Sequence, residues 1–277
     1  MTDRVNPADS SPGGKAMTDS RPAGKRPAVA IAAHHLAKRF GHVQALSDAT
    51  VTVHSGEVVA LFGDNGAGKS TVLKMLLGIL QPDSGHIEIA DEKVHLHSVR
   101  DAQARGVDCV HQDLAQAPDL SVMDNMFLGH EVLRPGLGRL LGALSRKEMA
   151  ARADQALRDL SIKLPSLTVP ISDLSGGQKQ AVAVAKAVMW SSTAVLMDEP
   201  TAALGARQSE IVCDLFRTVA ARGLGVLVVS HDLPRALKVA DRVVILWRGH
   251  TALDAPAADL TVPEVVATMV GFQKEAS

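Results

Sequence analysis

The sequence predicts an α/β fold built on a mainly parallel sheet, with an N-terminal antiparallel β part and an inserted helical subdomain. Three observations carry this reading. Apolar runs of strand length recur at Val58–Phe62, Val107–Val110, Thr193–Met197, Val226–Val229 and Val243–Leu246, with helix-length segments between them. Strands covered on both faces read as unbroken apolar runs, and alternation with helices is the pattern of a parallel sheet. The first of these runs leads directly into a glycine-rich turn and a helix start. From about Asp113 to Lys186 the texture changes to helical patterns with few β-branched runs.

The elements follow in order. Met1 to Pro27 is rich in Pro, Gly, Ser, Asp and charge, and is expected to be a disordered tail. Ala28–His34 is small and apolar, a first strand. After Phe40-Gly41, Ala49–Val53 reads as a second strand that ends at the His54-Ser55-Gly56-Glu57 turn, and the two form the antiparallel part. A helix from about Ser70 to Leu80 follows the glycine-rich loop, and Gln81-Pro82-Asp83-Ser84-Gly85 is a turn. Ile87–Ile89 is a short strand, and a helix near Ser98–Arg105 leads into Val107–Val110. Ser145 and Glu148 have capping-box spacing, ahead of Met149, Ala153, Ala156, Leu157 and Leu160 at helical spacing. Residues from about 250 to 277 are expected to be a C-terminal extension of a single domain spanning 28–277, with the helical subdomain at about 113–186.

Composition narrows the function. The chain has 277 residues, near the upper limit for one hydrophobic core. Lys plus Arg is 29 and Asp plus Glu is 30, for a net charge of -1, which argues against a nucleic-acid partner. Cys109 and Cys213 show neither paired nor metal-ligand spacing, which fits a reducing, cytoplasmic setting. No apolar run is long enough to span a bilayer.

The chemistry begins at Gly63-Asp64-Asn65-Gly66-Ala67-Gly68-Lys69-Ser70-Thr71, which fits G-x-x-x-x-G-K-[ST]. The glycines let backbone N–H groups crowd a phosphate, and the helix N-terminus adds a positive dipole end. Lys69 would reach the β- and γ-phosphates, and the Ser70 hydroxyl would ligate Mg²⁺. Asp198 and Glu199 end an apolar strand. Asp198 would hold Mg²⁺, and Glu199 would accept a proton from an attacking water. Ser175, Gly176, Gly177 and Gln178 precede a second helix and form a second candidate anion site.

The phosphate loop, Leu174-Ser175-Gly176-Gly177-Gln178 and Asp198-Glu199-Pro200-Thr201, in that order, resemble the nucleotide-binding subunit of an ABC transporter over roughly residues 31–249. The resemblance implies a P-loop ATPase core with a helical subdomain, working as a head-to-tail dimer. In such a dimer ATP with Mg²⁺ is sandwiched between one subunit's phosphate loop and the other's signature at Ser175–Gln178. It further implies that Phe40 stacks on adenine, that Gln112 touches Mg²⁺ and the attacking water, and that His231 contacts the γ-phosphate. One position departs from the family: Gly205 stands where an aspartate usually couples the two sites.

The stretches Val110–Leu114, Pro118–Val122 and Asp124–Gly129 are similar to the ATP subunits of bacterial importers of the ribose, xylose and fructose type. That resemblance implies monosaccharide import at the cytoplasmic face of the inner membrane. It implies a permease docked near Met123–Leu128, a periplasmic solute-binding protein beyond it, and pairing with a second copy or a separate ATPase subunit. An ABC ATPase for another cargo, or a soluble one without a transporter, are the alternatives. No Asn-Lys-x-Asp guanine motif occurs, which sets aside a GTPase.

Overall fold

The computed structural model describes residues 28–136, 141–202 and 204–271. The expected disordered tail, residues 1–27, lies outside the described residues. One mixed sheet organises the molecule. Its strands are β1 (Val29–Phe40), β2 (Val43–His54), β3 (Val58–Gly63), β4 (Ser84–Ile89), β5 (Glu92–Val94), β6 (Val107–Val110), β7 (Ala194–Asp198), β8 (Gly225–Val229), β9 (Arg242–Trp247) and β10 (His250–Pro256). The spatial order is β5-β4-β1-β2-β10-β9-β3-β8-β7-β6. The run β9-β3-β8-β7-β6 is parallel, and β1, β2, β4 and β5 pair antiparallel. The α/β class and both halves of the sheet are as the sequence predicts.

The parallel half shows why its strands read as unbroken apolar runs. On β3, Val58, Ala60 and Phe62 face one core, while Val59 and Leu61 face the other. The strands β7, β8 and β9 alternate in the same way between the two cores. Each large side chain so buried contributes roughly 1.5–3 kcal/mol. Helices α1 (Lys69–Leu76) and α2 (Val99–Ala104) cover one face. The opposite face is covered by α3 (Val122–Phe127), α4 (Arg146–Asp159), α5 (Gly176–Trp190) and α6 (Ala206–Ala220), with α7 (Leu233–Val239) and α8 (Val262–Met269) at its far end. Between 113 and 186 the described residues form no strand, only the isolated bridges Ser121↔Pro170 and Leu133↔Leu144.

Three local expectations need correction. β1 and β2 run well past the apolar stretches that announced them, because their distal halves carry polar residues, such as Lys38, Arg39 and Gln44, on a solvated ladder. The segment from about 250, expected to be an extension, opens with β10, an integral strand. It pairs antiparallel with β9 and meets β2 at His250↔Asp48. It thereby joins the two halves of the sheet, with Ser47 N donating to Gly249 O at 2.7 Å. Ser145 caps α4 by position only and makes no side-chain bond there. Its N–H is held by Val132 O at 2.7 Å, and Glu148 spends its carboxylate on Arg152 one turn along. A tertiary contact has overridden the local cap. The apolar spacing of α4 holds, with Met149, Ala153, Leu157 and Leu160 buried and Ala156 half-buried.

Candidate functional site

The site lies at the carboxyl ends of the parallel strands, where open α/β sheets bind ligands. β3 ends at Gly63, and the chain turns through Asp64–Gly68 into α1. Gly63 and Gly68 have φ of 155° and 109°. A Cβ on Gly68 would lie 2.4 Å from Leu46 Cδ2, and one on Gly63 would lie 2.5 Å from Leu246 O. The loop is thus pressed between β2 and β9, and both positions exclude any side chain.

Lys69 is the first residue of α1 and only 7 % exposed. Its Nζ donates to Gly63 O at 2.7 Å and to Asp64 O at 3.1 Å, arching back over the loop. Burial pulls its pKa down, while the carboxylates of Glu199, Asp64 and Asp198 pull it up. A buried cation at a helix N-terminus suits a polyanion.

Two further strand ends converge on it. β7 ends at Asp198, paired with Val229 at the end of β8. Glu199 follows with φ 48°, a left-handed conformation that is strained for a side-chain-bearing residue. Its N–H is fixed to Val229 O at 2.9 Å. His231, just beyond β8, places Nε2 2.9 Å from Glu199 Oε1. Burial, then the Glu199 charge, push the Asp198 pKa up, with His111, Lys69 and Lys74 opposing. A bound cation would reverse that push. Ser70, Asp198 and Gln112 offer a hydroxyl, a carboxylate and an amide, all oxygen donors of the kind Mg²⁺ takes.

One cleft of about 400 Å³, within the range of small-molecule sites, is lined by Phe40, Glu199, His231 and the loop residues Asn65 to Thr71. Gly63 and Asp64 lead into these loop residues but do not themselves line the cleft. Phe40 is 46 % exposed at the end of β1, with Lys38 Nζ 5.9 Å from its ring centre. Sequence reasoning missed Val43, Gln44 and Ala45, which also line the cleft. They carry no motif, and the pairing of Phe40 with Val43 in the β1–β2 hairpin brings them there. Gln112 is exposed just past β6, at the carboxyl end of the strand next to β7, and does not line the cleft.

The second candidate anion site, at Ser175–Gln178, is a capped helix start and stands apart from the cleft. Ser175 caps α5, and its Oγ accepts from Gln178 N at 3.4 Å, while Ser175 N donates to Gln178 Oε1 at 3.0 Å. Ser175, Gly177 and Gln178 line a different hollow, beside Ile162, Gln208 and Ile211. Gly205 caps α6 in extended backbone, φ −68° and ψ 160°, with no side-chain bond and no acid in the first turn. Nothing lies within 4 Å of where its Cβ would be. Gly205→Asp should therefore stabilise the protein by a few tenths to about 1 kcal/mol, through the cap and the helix dipole. A thermal melt checks this, and a lowered midpoint would contradict it.

Comparison with known proteins agrees with this geometry. The family model described as "ABC transporter" matches residues 46–202. The chain is 40 % identical to the xylose/arabinose import ATP-binding protein XylG of Sulfolobus acidocaldarius, over 85 % of this chain and 91 % of that one. It is 40 % identical to the fructose import ATP-binding protein FrcA of Rhizobium meliloti, over 88 % and 95 %. A solved dimeric ATP-binding cassette in a post-hydrolysis state with ADP and Pi superposes with a TM-score of 0.65 at 25 % identity, covering 82 % of this chain and 98 % of that one. With the phosphate loop, the strained glutamate and the capped serine in place, the chain belongs to the ABC transporter family, as one of its ATP-binding, ATP-hydrolysing proteins.

Proposed function

We propose that this chain is the energy-coupling ATPase subunit of a monosaccharide importer. The observation that carries it is the separation of the two anion sites. The phosphate-loop cleft and the Ser175–Gln178 cap line different hollows of one molecule. A head-to-tail pair, of two copies or of this chain and a second ATPase subunit, sets one copy's cap over its partner's cleft. The dimeric form of the similar cassette supports the pairing of two copies. The names of the relatives, import proteins for xylose/arabinose and fructose, support the sugar.

In this reading Phe40 stacks on the adenine, and stacking of this kind is worth ~1–3 kcal/mol. The loop N–H groups from Asp64 to Thr71 cradle the phosphates, and Lys69 turns from the loop carbonyls to the β/γ oxygens. Ser70, Asp198 and Gln112 would hold Mg²⁺, which when bound neutralises phosphate charge. Glu199 accepts the proton of the attacking water, and His231 holds that carboxylate and meets the γ-phosphate. The partner's Ser175, Gly176, Gly177 and Gln178 close on the same phosphate. Residues of about 113–186 act as the helical subdomain, and Met123 to Leu128 meet a permease at the cytoplasmic face of the membrane. A periplasmic solute-binding protein would deliver the sugar. Among the described residues no helix is long and apolar enough to cross a membrane, so the pathway would belong to the permease.

Reconstitution with the permease tests both halves of the proposal. ATPase activity should rise when the solute-binding protein is loaded with a monosaccharide. A mixture of Lys69→Ala and Ser175→Arg proteins should recover activity above either alone, since a mixed pair keeps one intact site. Stimulation only by a non-sugar solute would remove the cargo, and no recovery on mixing would remove the head-to-tail pairing.

A further inference from the structure

Far from the motifs, the antiparallel half carries a cluster that the nucleotide chemistry does not use. β4 pairs with β1 so that His86 stands opposite His34 and Glu88 opposite Ala32. Residues two apart on a strand share a face, and a directly paired residue joins them. His34, His86 and Glu88 therefore project together, on the face opposite buried Ile87 and Ile89. The His34 and His86 rings stack with centroids 4.7 Å apart and planes inclined by 23°. His34 Nε2 lies 3.0 Å from Glu88 Oε2. One donor atom from each of the three residues lies within 4.8 Å of the others, and all three are half-buried.

Two imidazoles and one carboxylate on a rigid ladder form a donor set for a borderline divalent transition metal. Bonds of about 2.0–2.2 Å in a tetrahedron set neighbouring donors about 3.3–3.6 Å apart. The His34–Glu88 pair already has nearly that spacing, and a modest ring rotation brings His86 into range. The backbone holds the three Cα atoms in place. His34 and His86 are direct partners in the ladder, and only past His34 does the register shift, at His35 with φ 51°.

We propose that His34, His86 and Glu88 form a Zn²⁺-type site, with water at the fourth position. A bound ion replaces the His34–Glu88 hydrogen bond by a shared centre and ties β4 to β1. β1 ends six residues later at Phe40, on the rim of the nucleotide cleft.

Titration of the full chain with Zn²⁺, without nucleotide and against a chromophoric chelator, tests this. Roughly one equivalent should bind with Kd below about 10 µM. Substituting Co²⁺ should give the visible absorption of a four-coordinate ion with nitrogen and oxygen ligands. His86→Ala and Glu88→Gln should each weaken binding at least roughly tenfold and abolish that absorption. Zn²⁺ should raise the melting midpoint of the parent and not of the variants. Glu88→Gln keeps the side-chain shape, so a folding defect in His86→Ala cannot mask the answer. Undiminished binding in both variants, or none below about 100 µM in the parent, would overturn the site.

Discussion

Replacing Lys69 with alanine is expected to weaken ATP binding by at least about a hundredfold while leaving the fold in place. The magnitude follows from the site. In the proposed site Lys69 would present a buried ammonium to the phosphates, and a hydrogen bond to a charged group is worth about 1.5–3 kcal/mol. Two such contacts exceed the ~2.7 kcal/mol of a hundredfold change. The fold should survive because the Lys69 Nζ contacts are local, to Gly63 O and Asp64 O. The loop around Asp64, Asn65 and Gly66 is exposed, so water can satisfy the freed Asp64 carbonyl. Alanine also removes the cost of burying a cation, the largest influence on the Lys69 pKa. Thermal melts with and without ATP separate the two effects. The parent should gain about 2.7 kcal/mol at a nucleotide concentration of about 100 Kd, and the variant almost none. An equal ligand-induced shift in both proteins would show that phosphate binding does not depend on Lys69.

What the sequence made legible and what it hid divide along one physical line. The strands of the parallel half are covered on both faces, so every residue of Val58–Phe62 or Val226–Val229 had to be apolar, and the strands stood out unaided. The candidate site residues Asp198 and Glu199 were legible for the same reason, since they follow directly on such an apolar run, whereas His231, two residues past β8, was named through the family resemblance. Glycine at 63 and 68 was legible because β2 and β9 leave room for nothing larger. The antiparallel half is wetted on one side and mixes polar with apolar residues, so β1 and β2 showed only their buried stretches. β10 stayed hidden because its half-buried residues carry no apolar run. Val43, Gln44 and Ala45 reach the cleft through hairpin pairing, a contact that no local spacing encodes. At Ser145 the local signal was present, and a bond from a distant strand-like segment at Val132 displaced it. The three-residue cluster at His34, His86 and Glu88 belongs to the same class: it exists only once β1 and β4 are laid side by side.

Glu199→Gln should separate binding from turnover. Glutamine matches the shape of glutamate, and the left-handed backbone at φ 48° costs both residues alike, of the order of 1–3 kcal/mol, so the local structure should hold. The neutral amide can still accept from His231 Nε2, which lies 2.9 Å from Glu199 Oε1. It cannot take a proton from water. Loss of a general base lowers the rate by roughly 10²–10⁴-fold. Binding should move the other way. Burial is the first cause that raises the Asp198 pKa and the Glu199 charge is the second. Removing that charge makes the Asp198 carboxylate easier to keep ionised, which favours a cation beside the phosphates. The variant should therefore bind ATP at least as tightly as the parent and fail to clear it. Under head-to-tail closure, a nucleotide that cannot be cleaved holds the two copies together, so light scattering after gel filtration in ATP should show a dimer that the parent populates only in passing. Turnover within about threefold of the parent would move the proton acceptor away from Glu199, and a variant that binds ATP yet stays monomeric at every concentration would take away the paired engine itself.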